Sequence, residues 1–133
     1  MPELPEVETM RRGLLPVVGS QIERLEIPRC RLKPIMISPR PATLRRRIVG
    51  RTIGDIERLG KRVLVRLNDE GHAGEGAVLV FEPRMTGLLL VADPPNETHL
   101  RLGLHLSGGP IRTLWYWDRR GLGNVRLLDR QSQ

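Results

Sequence analysis

Proline at position 2, with carboxylates at Glu3 and Glu6, is the grouping in this chain whose residue types could do chemistry together. Removal of Met1 would leave Pro2 as a free secondary amine, and an amine nucleophile beside acids points to Schiff-base chemistry. Condensation of such an amine with a carbonyl carbon gives a cationic iminium, an electron sink that acidifies the neighbouring carbon. An α-amino group titrates near ~7.7–8.0, so a usable share is unprotonated around neutrality without a dedicated strong base. Retention of Met1 would turn the same nitrogen into an amide and abolish its nucleophilicity. Glu8 reads as an ordinary first-turn acid that favours the positive end of a helix.

The elements around these residues follow from spacing. Pro5 suits a first helical turn, Val7, Met10 and Leu14 fall on one face, and Pro16 with Gly19 closes the segment, which predicts a helix from about Pro5 to Leu15. Gln21 to Pro28 reads as a strand and Cys30 to Pro41, rich in proline and basic residues, as a connecting loop. Ala42 to Val49 reads as a short helix ended by Gly50, with Arg45, Arg46 and Arg47 on a solvated face. From Thr52 onward the pattern changes to strands: Thr52 to Arg58, Arg62 to Leu67, Ala77 to Phe81, Leu88 to Ala92, Leu100 to Leu106, Ile111 to Trp117 and Asn124 to Leu128. In the clearest, Leu100, Leu102, Leu104 and Leu106 face inward, with His99, Arg101, Gly103 and His105 on the other face. Asn68 to Gly76 reads as an exposed loop. The expected fold is mainly β, of the α+β kind: an antiparallel β-sandwich of roughly eight strands with an N-terminal helix and one further short helix.

With 133 residues the chain fits one domain, spanning 1–133. Its formal charge of +7 comes almost wholly from arginine, since Lys33 and Lys61 are its only lysines. Arginine offers a planar fork of donors suited to phosphate, so a polyanion is the first partner to consider. A single cysteine, Cys30, excludes an internal disulfide and any metal site built on several cysteines. No apolar run reaches the length of a membrane span and no signal peptide is visible, so the expectation is a soluble chain of the cytoplasm with no membrane partner.

The run Pro2-Glu3-Leu4-Pro5-Glu6-Val7-Glu8-Thr9 resembles the start of formamidopyrimidine-DNA glycosylases, bacterial base-excision repair enzymes related to endonuclease VIII. Gly60-Lys61-Arg62, Arg84-Met85-Thr86-Gly87 and Tyr116-Trp117-Asp118-Arg119-Arg120-Gly121-Leu122-Gly123 follow in the family's order, so the likeness spans the chain. In that family the N-terminal proline attacks the sugar carbon bearing the damaged base, releases the base, and forms an iminium with the opened sugar before elimination cuts the strand on both sides. The resemblance therefore implies a glycosylase and abasic-site lyase acting on oxidised bases, with double-stranded DNA carrying damaged bases or abasic sites as partner. It makes Pro2 the nucleophile, Glu3 a general acid/base, Glu6 a supporting carboxylate and Lys61 a phosphate ligand at the reacting site. Arg84 and His99 join the DNA-binding candidates, as do Met85, Arg120 and Leu122, which match residues the family inserts where a flipped nucleotide leaves a gap. Met85 could equally be a core residue.

Three departures stand out. Where the family typically reads Asp-Pro-Arg-Arg-Phe-Gly, this chain has Arg119 for the proline, Gly121 for the second arginine and Leu122 for the aromatic wedge. Where it reads His-Leu-Gly-Met, this chain has Glu82-Pro83-Arg84-Met85, a carboxylate in place of a phosphate-binding histidine. The family's helix-two-turn-helix region and four-cysteine zinc finger do not occur in these 133 residues, so no cofactor is expected here and the sequence reads as part of a longer protein. Two alternatives stay open: a DNA-binding module without chemistry, and a structural domain whose arginines meet an acidic partner.

Overall fold

The structure, a computed structural model, describes residues 4–68 and 76–129. The segment 69–75, most of the loop expected between Asn68 and Gly76, lies outside the described residues. Helix α1 (Leu4–Leu14) runs into a 3₁₀ turn at Leu15–Val17, and α2 (Pro41–Ile48) lies between β2 (Met36–Ser38) and β3 (Thr52–Leu59). The remaining strands are β1 (Gln21–Glu26), β4 (Arg62–Asn68), β5 (Ala77–Glu82), β6 (Gly87–Leu90), β7 (Leu100–Ser107), β8 (Thr113–Asp118) and β9 (Asn124–Asp129).

Hydrogen bonding joins nine strands in the order β2, β9, β5, β4, β3, β1, β7, β8, β6. The join between β3 and β1 is narrow. Its ladder is reduced to Gln21 opposite Thr52, supported by Gly19 N–H to Ile53 O at 2.8 Å and Ile53 N–H to Ser20 O at 2.8 Å. Five strands therefore diverge from four at that corner. Phe81 on β5 and Tyr116 on β8 have four strands between them, about 24 Å on a flat sheet, yet their ring centroids are 5.8 Å apart. The sheet has folded over, and its two layers face each other across one core that takes Ile22, Ile56, Val65, Leu79, Phe81, Leu102, Leu114 and Tyr116 among others. The expected sandwich is thus one continuous sheet bent at a corner.

The structure adds one strand to the roughly eight expected. Cys30 to Pro41, expected as loop, contains β2, which pairs parallel to β9 through Met36–Asn124, Ile37–Val125 and Ser38–Arg126. Three residues with no buried position among them carry no periodicity to read, and Pro39 and Pro41 prevent extension. Every other pairing is antiparallel.

Helix α1 closes the side of the sandwich, sending Val7 and Leu14 into the core. Its direction is set by its partners: Glu8 bonds Arg58 at the far end of β3, whereas the residues after Val17 bond back to Ile53 near its start. The N-terminus of α1 therefore lies at the end of the sandwich where β3 turns into β4.

Candidate active-site and nucleic-acid-binding end

That end collects most of the residues singled out above. Leu59 opposite Arg62, Glu82 opposite Asn124 and Gly87 opposite Asp118 are the last pairs of their ladders, so the β3–β4, β5–β6 and β8–β9 connections emerge together. Lys61 sits in the two-residue turn between β3 and β4, where Gly60 alone takes a positive φ of 62°, the pattern of a type II′ hairpin. Arg84 and Met85 occupy the β5–β6 turn, and Arg120 and Leu122 the β8–β9 loop. Sequence distance separates these residues by up to 61 positions; the register of the sheet brings them to one face.

Met85 is 52% exposed and takes no part in the core, which decides between its two readings in favour of an accessible side chain. Arg84 holds a φ of 55°, a left-handed conformation unusual outside glycine, so the turn presents Met85 at some conformational cost. Glu82, the carboxylate that replaces a histidine, is engaged: it accepts Asn124 Nδ2 at 3.1 Å and lies 3.8 Å from Arg62 and 4.0 Å from Arg84. Two arginines thus offset its charge. His99 is at the same end with its ring occupied, Nδ1 at 2.9 Å from Asn96 Oδ1 and edge-on to Trp117 at 5.4 Å. Glu6 is exposed on the first turn of α1 and borders an apolar groove of about 520 Å³ with Met10 and Leu88–Ala92. Pro2 and Glu3 lie outside the described residues.

A residue that sequence reasoning passed over organises this end. Asp118 is fully buried, and its carboxylate accepts five donors: Thr86 Oγ1 at 2.9 Å, Tyr116 Oη at 2.8 Å, and the backbone N–H groups of Arg120 at 3.2 Å, Gly121 at 2.9 Å and Gly123 at 2.9 Å. Three backbone donors shape the Arg120–Leu122 loop, while Thr86 ties in the turn that carries Met85. The two loops are therefore one unit. Burial, followed by the Asp118 charge and hydrogen bond, pushes the Tyr116 phenol far above its ordinary value, so it stays a neutral donor. A signal was present in the sequence: Leu114, Tyr116 and Asp118 share one strand face, and an acid in phase with core residues must be satisfied by buried donors.

Glu8 differs from its sequence reading as a helix-dipole acid. It accepts Arg11 Nη2 at 2.6 Å, Arg12 Nε at 3.0 Å and Arg58 Nε at 3.1 Å, which links α1 to β3. Arg11 first, then Arg12 and Arg58, hold its carboxyl at about 2, below the ordinary 4.5. A carboxyl depressed on folding stabilises above its unfolded value and loses that contribution as pH falls through the folded one. The stability difference between wild type and Glu8→Gln should be constant at neutral pH, shrink below about pH 4.5 and vanish near pH 2. Denaturation midpoints across that range would read it, and a difference independent of pH would refute it.

Among the described residues no group of three or more His, Cys, Asp or Glu side chains converges to hold a metal ion, and no helix is long and apolar enough to cross a membrane.

Comparison with known proteins agrees with this geometry. The family model described as the formamidopyrimidine-DNA glycosylase N-terminal domain matches residues 1–125. Proteins named formamidopyrimidine-DNA glycosylase are 44% identical over 133 residues in Symbiobacterium thermophilum and 37% identical over 138 in Chloroflexus aurantiacus, covering 96% and 99% of this chain. The chain spans 39% and 45% of those two proteins' own lengths. Among solved structures, the Lactococcus lactis Fpg protein in complex with DNA containing an abasic site superposes with a TM-score of 0.76 at 32% identity, over 97% of this chain and 45% of that one. A mutant of the same protein bound to DNA containing Fapy-dG gives the same TM-score and identity. The chain belongs to the formamidopyrimidine-DNA glycosylase family, matching its N-terminal domain.

Proposed function

We propose that this chain is the catalytic N-terminal part of a base-excision DNA glycosylase and abasic-site lyase whose nucleophile is the free amine of Pro2. The observation that carries the reading is the convergence of the α1 N-terminus, Lys61, Arg84, Met85, Arg120 and Leu122 on one end of the sandwich. In this reading the Pro2 nitrogen bonds to the sugar C1′ as the damaged base leaves, and the opened sugar is held as an iminium. Glu3 carries protons to and from the sugar oxygen, with Glu6 in support. Lys61 fixes a backbone phosphate, with Arg84 beside it. Met85 and Leu122 fill the gap in the base stack while Arg120 meets the unpaired partner base. The partner is double-stranded DNA with damaged bases or abasic sites, met in the bacterial cytoplasm. No cofactor takes part in these steps.

Borohydride trapping on abasic-site DNA tests the chemistry, using protein whose N-terminus has been verified by mass spectrometry. A covalent adduct is expected with Pro2 free, and none with Pro2→Gly or with Met1 retained. Absence of an adduct from the longer, correctly processed protein would sink the lyase reading. The alternative reading is DNA binding without chemistry. Binding by the chain, with no adduct from either the chain or the longer protein, would select it.

A further inference from the structure

Arg101 is a buried cation that forms no ion pair with a carboxylate among the described residues. It is 3% exposed, on β7, and its side chain spends its donors on two backbone carbonyls: Nε donates to Asp118 O at 2.9 Å and Nη1 to Lys33 O at 2.5 Å. Among the described residues Nη2 has no hydrogen-bond partner. Burying a guanidinium is costly, and an apolar side chain would fill such a site at lower cost. What the charge secures is a junction. Asp118 begins the Arg120–Leu122 loop, and Lys33 lies on the strap 27–35 that crosses from β1 to β2. A planar fork can hold two separated carbonyls at once, which the single ammonium of a lysine does poorly.

Gly121 completes the seam from the loop side. Its φ of 69° suits glycine, and a Cβ there would overlap the Lys33 carbonyl oxygen and stand 3.3 Å from Arg101 Nη2. The guanidinium and the strap thus occupy the space that a side chain at position 121 would claim. The seam borders a cleft of about 400 Å³ lined by Lys33 and Pro34 of the strap, Met36 of β2, Arg84 and Leu122. Lys33 and Arg84, which line it, are exposed, as is Arg120 in the adjoining loop.

We infer that Arg101 is a positioning residue for DNA binding: by clamping the strap 27–35 to the Arg120–Leu122 loop it makes Lys33 part of the phosphate-binding surface. The inference rests on the DNA-binding reading above and assigns a partner to the strap, the phosphodiester backbone. Arg101 itself does not touch DNA.

The test is a double-mutant cycle on the full chain, reading the association constant for abasic-site duplex DNA against salt. Loss of one phosphate contact lowers the slope of log K against log salt by about 0.9, which between 50 and 200 mM salt is roughly a three- to fourfold change. Lys33→Ala should show that loss. Arg101→Met should show the same loss although the residue is buried, Arg101→Lys should not restore it, and the double variant should lose no more than either single one. A residue that only supports the core would lower stability and leave the Lys33 contribution intact. Additive slope changes, or a normal slope in Arg101→Met, would therefore overturn the inference while leaving DNA binding standing. Binding by wild type that is absent or independent of salt would overturn both. Should Arg101→Met fail to fold, Gly121→Ala presses on the same seam from the other side, and the same non-additivity with Lys33→Ala is expected.

Discussion

Asp118→Ala is expected to destabilise the chain by about 3–5 kcal/mol, since each buried donor left unsatisfied costs about 1–3 kcal/mol and water entering the cavity would recover part of the sum. The donors at stake are Thr86 Oγ1, Tyr116 Oη and the N–H groups of Arg120, Gly121 and Gly123. Asp118→Asn keeps the shape and one acceptor but turns an amide N–H toward donors, so about 2–3 kcal/mol is expected. Domain stabilities are about 5–15 kcal/mol, so either loss is a large share of the total. Urea titration with an unchanged m-value would read it, and a loss below about 1 kcal/mol for Asp118→Ala would contradict the hub. The functional consequence should exceed that of an equally destabilising change elsewhere. Freeing Thr86 and the Arg120–Leu122 loop together uncouples the turn carrying Met85 from the loop carrying Leu122, so DNA affinity should fall even where the variant is fully folded.

Phe81→Ala is the second large effect, expected at about 3–5 kcal/mol for removal of a buried aromatic ring. Phe81 is fully buried between Val63 and Val125 in the register of its layer and meets Tyr116 across the fold. If the sheet were open, that ring would face solvent on one side and the loss would be much smaller. Equilibrium unfolding decides between the two. Because Tyr116 touches Phe81 with its ring and Asp118 with its hydroxyl, the Phe81 and Asp118 variants share a partner, and their combined effect should depart from additivity. The core of the sandwich and the loops at its end are in this sense one structure.

Legibility from sequence followed the range of the interactions. The helix from Pro5, the strand Leu100 to Leu106 and the turn glycines were readable because the periodicity of a helix or strand is written in neighbouring residues. So was the family, through runs of contiguous residues. β2 was not readable. Its three residues owe their conformation to pairing with β9, almost ninety positions later. The same holds for Glu8, whose third arginine comes from β3, and for Arg101, which alternation placed merely opposite the leucines.

The amino-acid sequence by itself determined most of the elements and the family, since propensity, alternation and contiguous motifs are local properties. Only the tertiary structure decided which residues work together. Long-range register carries Lys61, Met85 and Leu122 to the end where α1 begins, and the fold of the sheet at Gln21 and Thr52 creates the shared core beneath them. Buried side chains then lock the loops to one another. Arg101 does so through two backbone carbonyls, and Asp118 through three backbone N–H groups together with the Thr86 and Tyr116 hydroxyls, partners that only the whole fold brings to them.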